Sequence, residues 1–278
     1  MTRTRVLAAL TMAPFAIAAV LFLPTPWVVA LAAVMFLVGL WEWLRLADID
    51  DTLARTVLLL VNLLLMVALV WASRSESGGS LVLFQLMVVL GVIWWLLAMI
   101  WLRHYDFASD HDTHARVFKL GAGTLAVVPA WCALAVIHAS QPHGHVWLLI
   151  ALAVVWAADS GAYFAGRRFG KRKLSPRISP NKTVEGMAGG AIAGIAVAMV
   201  GAPLAGASLA QLPAVALVAA IAVGFSVVGD LFESLLKRHV GAKDSGDLIP
   251  GHGGILDRID GVLAALPVFA LGKAWLGF

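Results

Sequence analysis

Apolar residues dominate this chain in long runs, and the polar residues gather in the short gaps between them. The clearest run, "LVLFQLMVVLGVIWWLLAMIWL" over 81–102, contains no charge. A bilayer-spanning helix needs about 20 such residues. The pattern predicts nine spans, near 6–23, 26–45, 56–72, 81–102, 118–138, 146–166, 187–205, 211–234 and 261–277. Inside lipid the backbone must satisfy its own polar groups, so each span is expected to be a helix. The connections are too short for an extramembrane domain. The fold class is therefore all-α, a single polytopic membrane domain over 1–278. Spans one to five form an N-terminal hydrophobic half over 1–140, and spans six to nine a C-terminal half over 146–278. The pair Trp94 and Trp95 is expected to face lipid.

Composition agrees with this class. Hydrophobic residues make up 61% of the chain, charged residues 13%, and the mean hydropathy is +0.91. Soluble domains carry roughly 25% charged residues. The first run follows "TRTR" but lacks a small-x-small cleavage site after a short apolar core, so it reads as a retained helix rather than a signal peptide. The lone Cys132 excludes an internal disulfide.

The placement of charge adds orientation. Nine spans put the N-terminus and the even-numbered loops on one side, which holds 18 of the 20 Lys and Arg residues; only Arg74 and Lys273 lie opposite. By the positive-inside rule that side is the cytoplasm, and the C-terminus is periplasmic. Fifteen of the 16 acids also fall on or near the cytoplasmic side, Glu76 being the exception. A topological bias in Lys and Arg does not explain the acids. That surface is expected to use both signs.

Three acids sit within or at the edges of apolar spans: Asp159, Asp230 and Asp260. A charge at the centre of a membrane helix costs about 2.5–3.5 kcal/mol on insertion scales, which points to a polar cavity. Asp230, Glu233, Ser234 and Lys237 fall at i, i+3, i+4 and i+7, one face of a helix. Asp257 and Asp260 are three apart at the entrance to span nine. Carboxylates from two helices beneath a glycine-rich loop suit a hard cation such as Mg²⁺, held together with waters and substrate phosphates. A second charged stretch, "GRRFGKRKLSPRISPNKTVEG" over 166–186, carries seven basic residues and one acid. Its end reads as a helix start, with Ser179 or Thr183 as cap and Glu185 in the first turn. Gly189, Gly190 and Gly194 allow span seven to pack closely. "GRRFGKR" has the wrong spacing for a P-loop. His111 and His114 in "HDTH" are expected to be exposed to solvent rather than to bind metal.

At this point the chain resembles a known family. "SLLKRHVGAKDSGDLIPGHGGILDRIDG", 234–261, is similar to the signature of the phosphatidate cytidylyltransferases, the CDP-diacylglycerol synthases. Gly229–Asp230, "SPNKTVEG" and parts of "WAADSGAYFAG" look like further family features, so the match is concentrated in 156–261. The resemblance implies that CTP and phosphatidic acid react to give CDP-diacylglycerol and pyrophosphate. It also implies Mg²⁺ dependence, with one or two cations left open, a bacterial-type inner membrane location and a homodimer. No nucleic acid partner is expected. Carried onto this sequence, Asp230 and Asp257 are the expected metal ligands, with Asp260 and Asp159 supporting or replacing them. Lys237, Arg238, Lys243 and Arg258 would neutralise phosphates, with Asp244 in the same catalytic set. Gly251, Gly253 and Gly254 would let backbone approach the nucleotide, with His252 as an orienting donor. Ser179, Lys182 and Thr183, with Glu185 and Ser234, would complete the CTP or lipid-phosphate site.

Two other readings differ in kind. A CTP-dependent lipid kinase would pass on the γ-phosphoryl group and release CDP. A cation-coupled transporter would place its acids near the midplane and often show inverted repeats; here the acids hug one interface and no repeat is seen. The orientation is testable. A topology reporter fused after Phe278 should read as periplasmic and one inserted between 167 and 182 as cytoplasmic, and finding both on one side would refute the nine-span count.

Overall fold

The computed structural model describes residues 14–74, 80–246 and 253–278. Among them, α1 covers 14–22, the described part of the first expected span. Eight further helices are long and apolar enough to cross a membrane: α2 (Thr25–Leu46), α3 (Thr52–Ala72), α4 (Val82–Arg103), α5 (Thr113–Ala139), α6 (Gly144–Phe169), α7 (Val184–Gly201), α8 (Leu212–His239) and α9 (Leu256–Leu276). The all-α polytopic class holds. Two helices run further than their apolar stretches suggest: α8 continues past Ser234 to His239, and α9 begins at Leu256 rather than at Gly261. Helical hydrogen bonding extends across the interface, where charged side chains reach water while the backbone stays paired. The 166–186 stretch is not all loop. It folds into an antiparallel hairpin of β1 (Lys173–Ser175) and β2 (Ser179–Thr183) at the charged end of the bundle.

Packing separates a dry core from a lipid-facing rim. Helix α9 is central, with Leu263, Ala264 and Leu266 wholly covered, and α5 crosses it with Val127, Val128 and Ala130 equally buried. By contrast α3 buries only Asn62 and Met66, and leaves Leu64 and Trp71 exposed, as a peripheral helix in lipid should. Helices α6 and α7 meet through small residues. A Cβ on Gly189 would strike that of Ala165, and one on Gly194 would lie 2.6 Å from Val223 Cγ2 and 3.2 Å from Val154 O. The expected close approach of span seven is present. Thr183, not Ser179, caps α7: its Oγ1 accepts from Gly186 N–H at 3.0 Å.

The tryptophans correct one expectation. Trp94 and Trp95 do not face lipid; they are 7% and 1% exposed. With Trp43 and Trp101 they surround Phe232 of α8, at ring-centroid distances of 5.2–6.1 Å. Trp95 Nε1 donates to Leu263 O at 3.1 Å. That carbonyl lies four residues before Pro267, which has no N–H to offer it. A carbonyl freed by proline within lipid must find another donor, and the indole supplies it. The polar edge of Trp95 therefore points inward.

The N-terminus of α9 has an unexpected partner. Glu42, near the end of α2, is 5% exposed. Its Oε1 accepts from Ile255 N–H at 3.1 Å, and its Oε2 from Leu256 N–H at 2.8 Å and Ser245 Oγ at 3.0 Å. The first turn of a helix leaves N–H groups unpaired and carries partial positive charge, so a carboxylate from another helix suits it on both counts. Gly246 and Gly254 close around it, and a Cβ at either would strike the Glu42 carboxylate. Glu42→Ala would orphan three donors, each worth about 1–3 kcal/mol when buried and unpaired. The variant should melt on the order of 5–10 °C lower in detergent, and Glu42→Gln, which keeps one acceptor oxygen, should fall between. An unchanged melting curve for Glu42→Ala would refute the clamp.

Candidate active site

The charged end brings together α6, the hairpin, the start of α7, the end of α8 and the start of α9. A cleft of about 680 Å³ opens there, within the range of small-molecule sites. Asp159, Ser179, Lys182, Thr183 and Asp230 line it, beside Asn181, Tyr163 and Arg167. Its other wall is apolar, made by Ala158, Met187, Val223 and Val227. Five of the candidate residues thus share one space, although they come from three elements.

Asp230 is the polar centre of the cleft. Lys182 pairs with its Oδ2, and Ser234 Oγ lies 3.4 Å from Oδ1. The Lys182 and Asp230 side chains are 25% and 35% exposed, so the pair stays open to an incoming ligand. Asp159 is an electrostatic neighbour of Asp230, Lys182 and Arg258. Gly229 explains how α9 comes so close: a Cβ there would strike Asp260 O and lie 3.0 Å from the Ala264 Cβ. The preceding glycine is what lets Asp230 and Asp260 interact.

Behind the cleft lies a second, buried assembly. Lys237 Nζ donates to Glu233 Oε2 at 2.9 Å and to Asp257 Oδ1 at 2.8 Å. Asp257 Oδ2 accepts from Ser245 N–H at 3.1 Å and from Gly254 N–H at 2.9 Å. Ser245 in turn reaches Glu42, and its carbonyl accepts from Arg45 Nη2 at 2.6 Å. Gly253 sits at φ +81°, where a side chain would be strained, and the turn it makes presents Gly254 to Asp257. Glu233 is an electrostatic neighbour of both Asp257 and Asp260, so the carboxylates form a succession from the open cleft to the buried assembly.

Other candidates hold the frame. Arg238 Nε donates to Ile178 O at 3.1 Å and fixes the hairpin to α8. Glu185 accepts from Lys171 N–H, Arg172 N–H and Arg172 Nε at 3.0–3.1 Å, which locks the turn after α6 onto the first turn of α7. Lys243, Asp244 and Arg258 are exposed on the same end. Gly251 and His252 lie outside the described residues. His111 is largely exposed and pairs with Asp48 at 2.8 Å, and His114 is more exposed still.

The main omission from the sequence reading is Glu42, with Ser245 and Arg45 beside it. The signal was present. Glu42 is an acid between two tryptophans in the "WEWLRL" end of an apolar span, and the insertion cost that singled out Asp159 applies to it as well. Asn181 and Tyr163 lie in segments that resemble the family, "SPNKTVEG" and "WAADSGAYFAG", but nothing in their spacing shows that the hairpin folds over α6.

The fit to a cation follows from the donor set. Mg²⁺ needs only one or two carboxylates, since it keeps waters and takes phosphate oxygens. Asp230 and Asp159, on different helices in one cleft, meet that requirement. Among the described residues, no group of three or more His, Cys, Asp or Glu forms an all-protein cage. An ion here would therefore be shared with its substrate.

Comparison with known proteins gives the family. A family model described as the cytidylyltransferase family matches residues 3–274. A phosphatidate cytidylyltransferase of Pseudomonas aeruginosa is 43% identical over 270 residues, covering 97% of this chain and 96% of that one. One from Haemophilus influenzae is 35% identical over 282 residues, covering 97% and 98%. One from Bacillus subtilis is 45% identical over 125 residues, covering 45% and 46%. The long matches run through the N-terminal helices that supply Glu42 as well as through the cleft, and the chain belongs to the cytidylyltransferase family.

Proposed function

We propose that this chain transfers the cytidylyl group of CTP to phosphatidic acid, giving CDP-diacylglycerol and pyrophosphate, at the cytoplasmic face of a bacterial inner membrane. The observation that carries the reading is the cleft, where carboxylates and a lysine at the charged end of the bundle meet an apolar wall. A water-soluble nucleotide and a lipid phosphate can share such a place and few others. The names of the Pseudomonas and Haemophilus relatives support the same reaction.

In that reaction a phosphate oxygen of phosphatidic acid forms a bond to the α-phosphorus of CTP. The bond from that phosphorus to the β-phosphate oxygen breaks, and pyrophosphate leaves with the electron pair. No enzyme nucleophile is required. The protein contributes position and charge. Lys182, balanced by Asp230 before substrate arrives, turns to the incoming phosphates. Ser179, Thr183 and Ser234 orient them, and Arg258, Lys243 and Arg238 offset charge around the rim. Lys237, fixed between Glu233 and Asp257, holds the start of α9 against the end of α8. Mg²⁺ would be held by Asp230 with Asp159 and by Asp260 on the α9 side. When bound, it would neutralise the charge that develops on the α-phosphate of the transferred cytidylyl group. Asp257, whose oxygens accept from Lys237, Ser245 and Gly254, would fix the start of α9 beside them rather than bind the ion as first expected. A second cation and a homodimer belong to the same proposal.

Three measurements test it. Label at the α-phosphate of CTP should enter lipid and label at the γ-phosphate should appear in pyrophosphate; γ-label in lipid would establish a kinase instead. Chelation should abolish transfer and added Mg²⁺ restore it. Asp230→Asn should lose on the order of a hundredfold or more in turnover with an unchanged melting temperature. Asp257→Asn should lose comparable activity and also melt lower, because its amide cannot accept from Lys237, Ser245 and Gly254 together. Near wild-type turnover of Asp230→Asn at limiting Mg²⁺ would remove Asp230 from the ligand set.

A further inference from the structure

The cleft is not the only hollow at this end. Beyond it lies a groove of about 490 Å³ between α4 and α8, roofed by the hairpin. The two hollows share Leu174, Met187 and Val227, so one continues into the other. We propose that this groove holds an acyl chain of the lipid substrate while its phosphate lies beside Asp230; the inference rests on phosphatidic acid being that substrate.

Length is the first argument. The α8 side of the groove is the stripe Ile221, Gly224, Phe225, Val228 and Leu231, one face at helical spacing. From Asp230 down to Ile221 is nine residues, about 14 Å at 1.5 Å per residue. That is close to half of a hydrocarbon core of about 30 Å, the depth of one leaflet. Helix α8 continues for another nine residues to Leu212, but the groove does not. A transmembrane helix from a second copy would want a seat along the whole span. An acyl chain needs only this much.

The ends of the groove differ in the matching way. Its deep end is wholly apolar. At the headgroup level stand Ser175 and Arg103, the last residue of α4. Arg103 is exposed and makes no ion pair or side-chain hydrogen bond among the described residues. A cation there suits the phosphate or ester oxygens of a lipid whose chain runs below. The roof is held in place by the bond from Arg238 to Ile178 O.

Gly224 makes the idea testable. It is exposed on the groove face, and a Cβ added there would meet nothing within 4 Å. A large side chain can enter the groove without disturbing the packing of α8, and replacing a helical glycine does not weaken the helix. Gly224 lies six residues, about 9 Å, below Asp230, so an obstruction there blocks long chains and spares short ones.

The experiment uses the full-length purified protein with dioleoyl and dihexanoyl phosphatidic acid. Gly224→Trp should lower kcat/KM for the dioleoyl substrate by tenfold or more, leave the dihexanoyl value within about twofold of wild type, and leave the KM for CTP unchanged. Retained turnover of the short lipid also shows that the variant folds. Equal activity of variant and wild type on both lipids overturns the groove. If the variant loses both lipids, the wild type decides: phosphatidic acid with a diazirine midway along one acyl chain should label peptides of α4 and α8 spanning Met99–Arg103 and Ile221–Leu231, and labelling elsewhere overturns the proposal. A variant that changes oligomeric size while keeping both lipid activities would make the groove a contact between copies. Should the wild type transfer nothing from CTP to either lipid, the proposed reaction itself fails, a result distinct from all of these.

Discussion

The carboxylate of Glu42 at the start of α9 is the constraint on which the charged end rests. A helix that begins within a membrane protein has N–H groups that neither lipid nor its own backbone can satisfy. Here α2 satisfies them with one side chain, and the same side chain holds Ser245. Because α9 starts where Glu42 stands, Asp257 falls in its first turn and Asp260 faces α8. The N-terminal helices, which carry none of the signature residues, thus set the position of those that do.

Charge is distributed at two depths. In the cleft, Asp230 and Lys182 are partly open to water and their mutual attraction is screened, so exchanging that partner for a substrate phosphate costs little. In the buried assembly, Lys237 has two acidic partners and Asp257 has three donors. Removing one member there leaves the others buried and unpaired, which is costly. The shallow layer can respond to ligands because the deep layer does not move.

Much of this was legible in the sequence, for physical reasons. Lipid demands long apolar helices, so the described spans were readable from hydropathy alone. The Asp230, Glu233, Ser234 and Lys237 face followed from helical period, and the loop around 244–261 stood out because charge is rare in this chain. What escaped was tertiary. Hydropathy places Trp94 and Trp95 in a span but cannot say which way they face, and for Trp95 that depended on a carbonyl freed in α9. Glu42 is one acid in one apolar run, and its role appears only when α9 begins beside it. The hairpin was hidden because a basic loop and a two-stranded turn share the same composition. The ends of α8 and α9 were misjudged because polarity marks where a helix leaves lipid, not where it stops.

The bond between Trp95 and Leu263 carries a consequence for how the chain can change over generations. Alanine at 267 would restore the internal ladder of α9, and the Leu263 oxygen could still accept from the Trp95 indole through its second lone pair. Phenylalanine at 95 would leave the Leu263 carbonyl without a donor. Losing the indole alone strands a polar group in a dry core, whereas losing the proline first makes the indole dispensable. The dependence between positions 95 and 267, distant in sequence, therefore runs one way: related chains that lack the proline have no need of the indole, and those that keep it must find a donor for the same carbonyl.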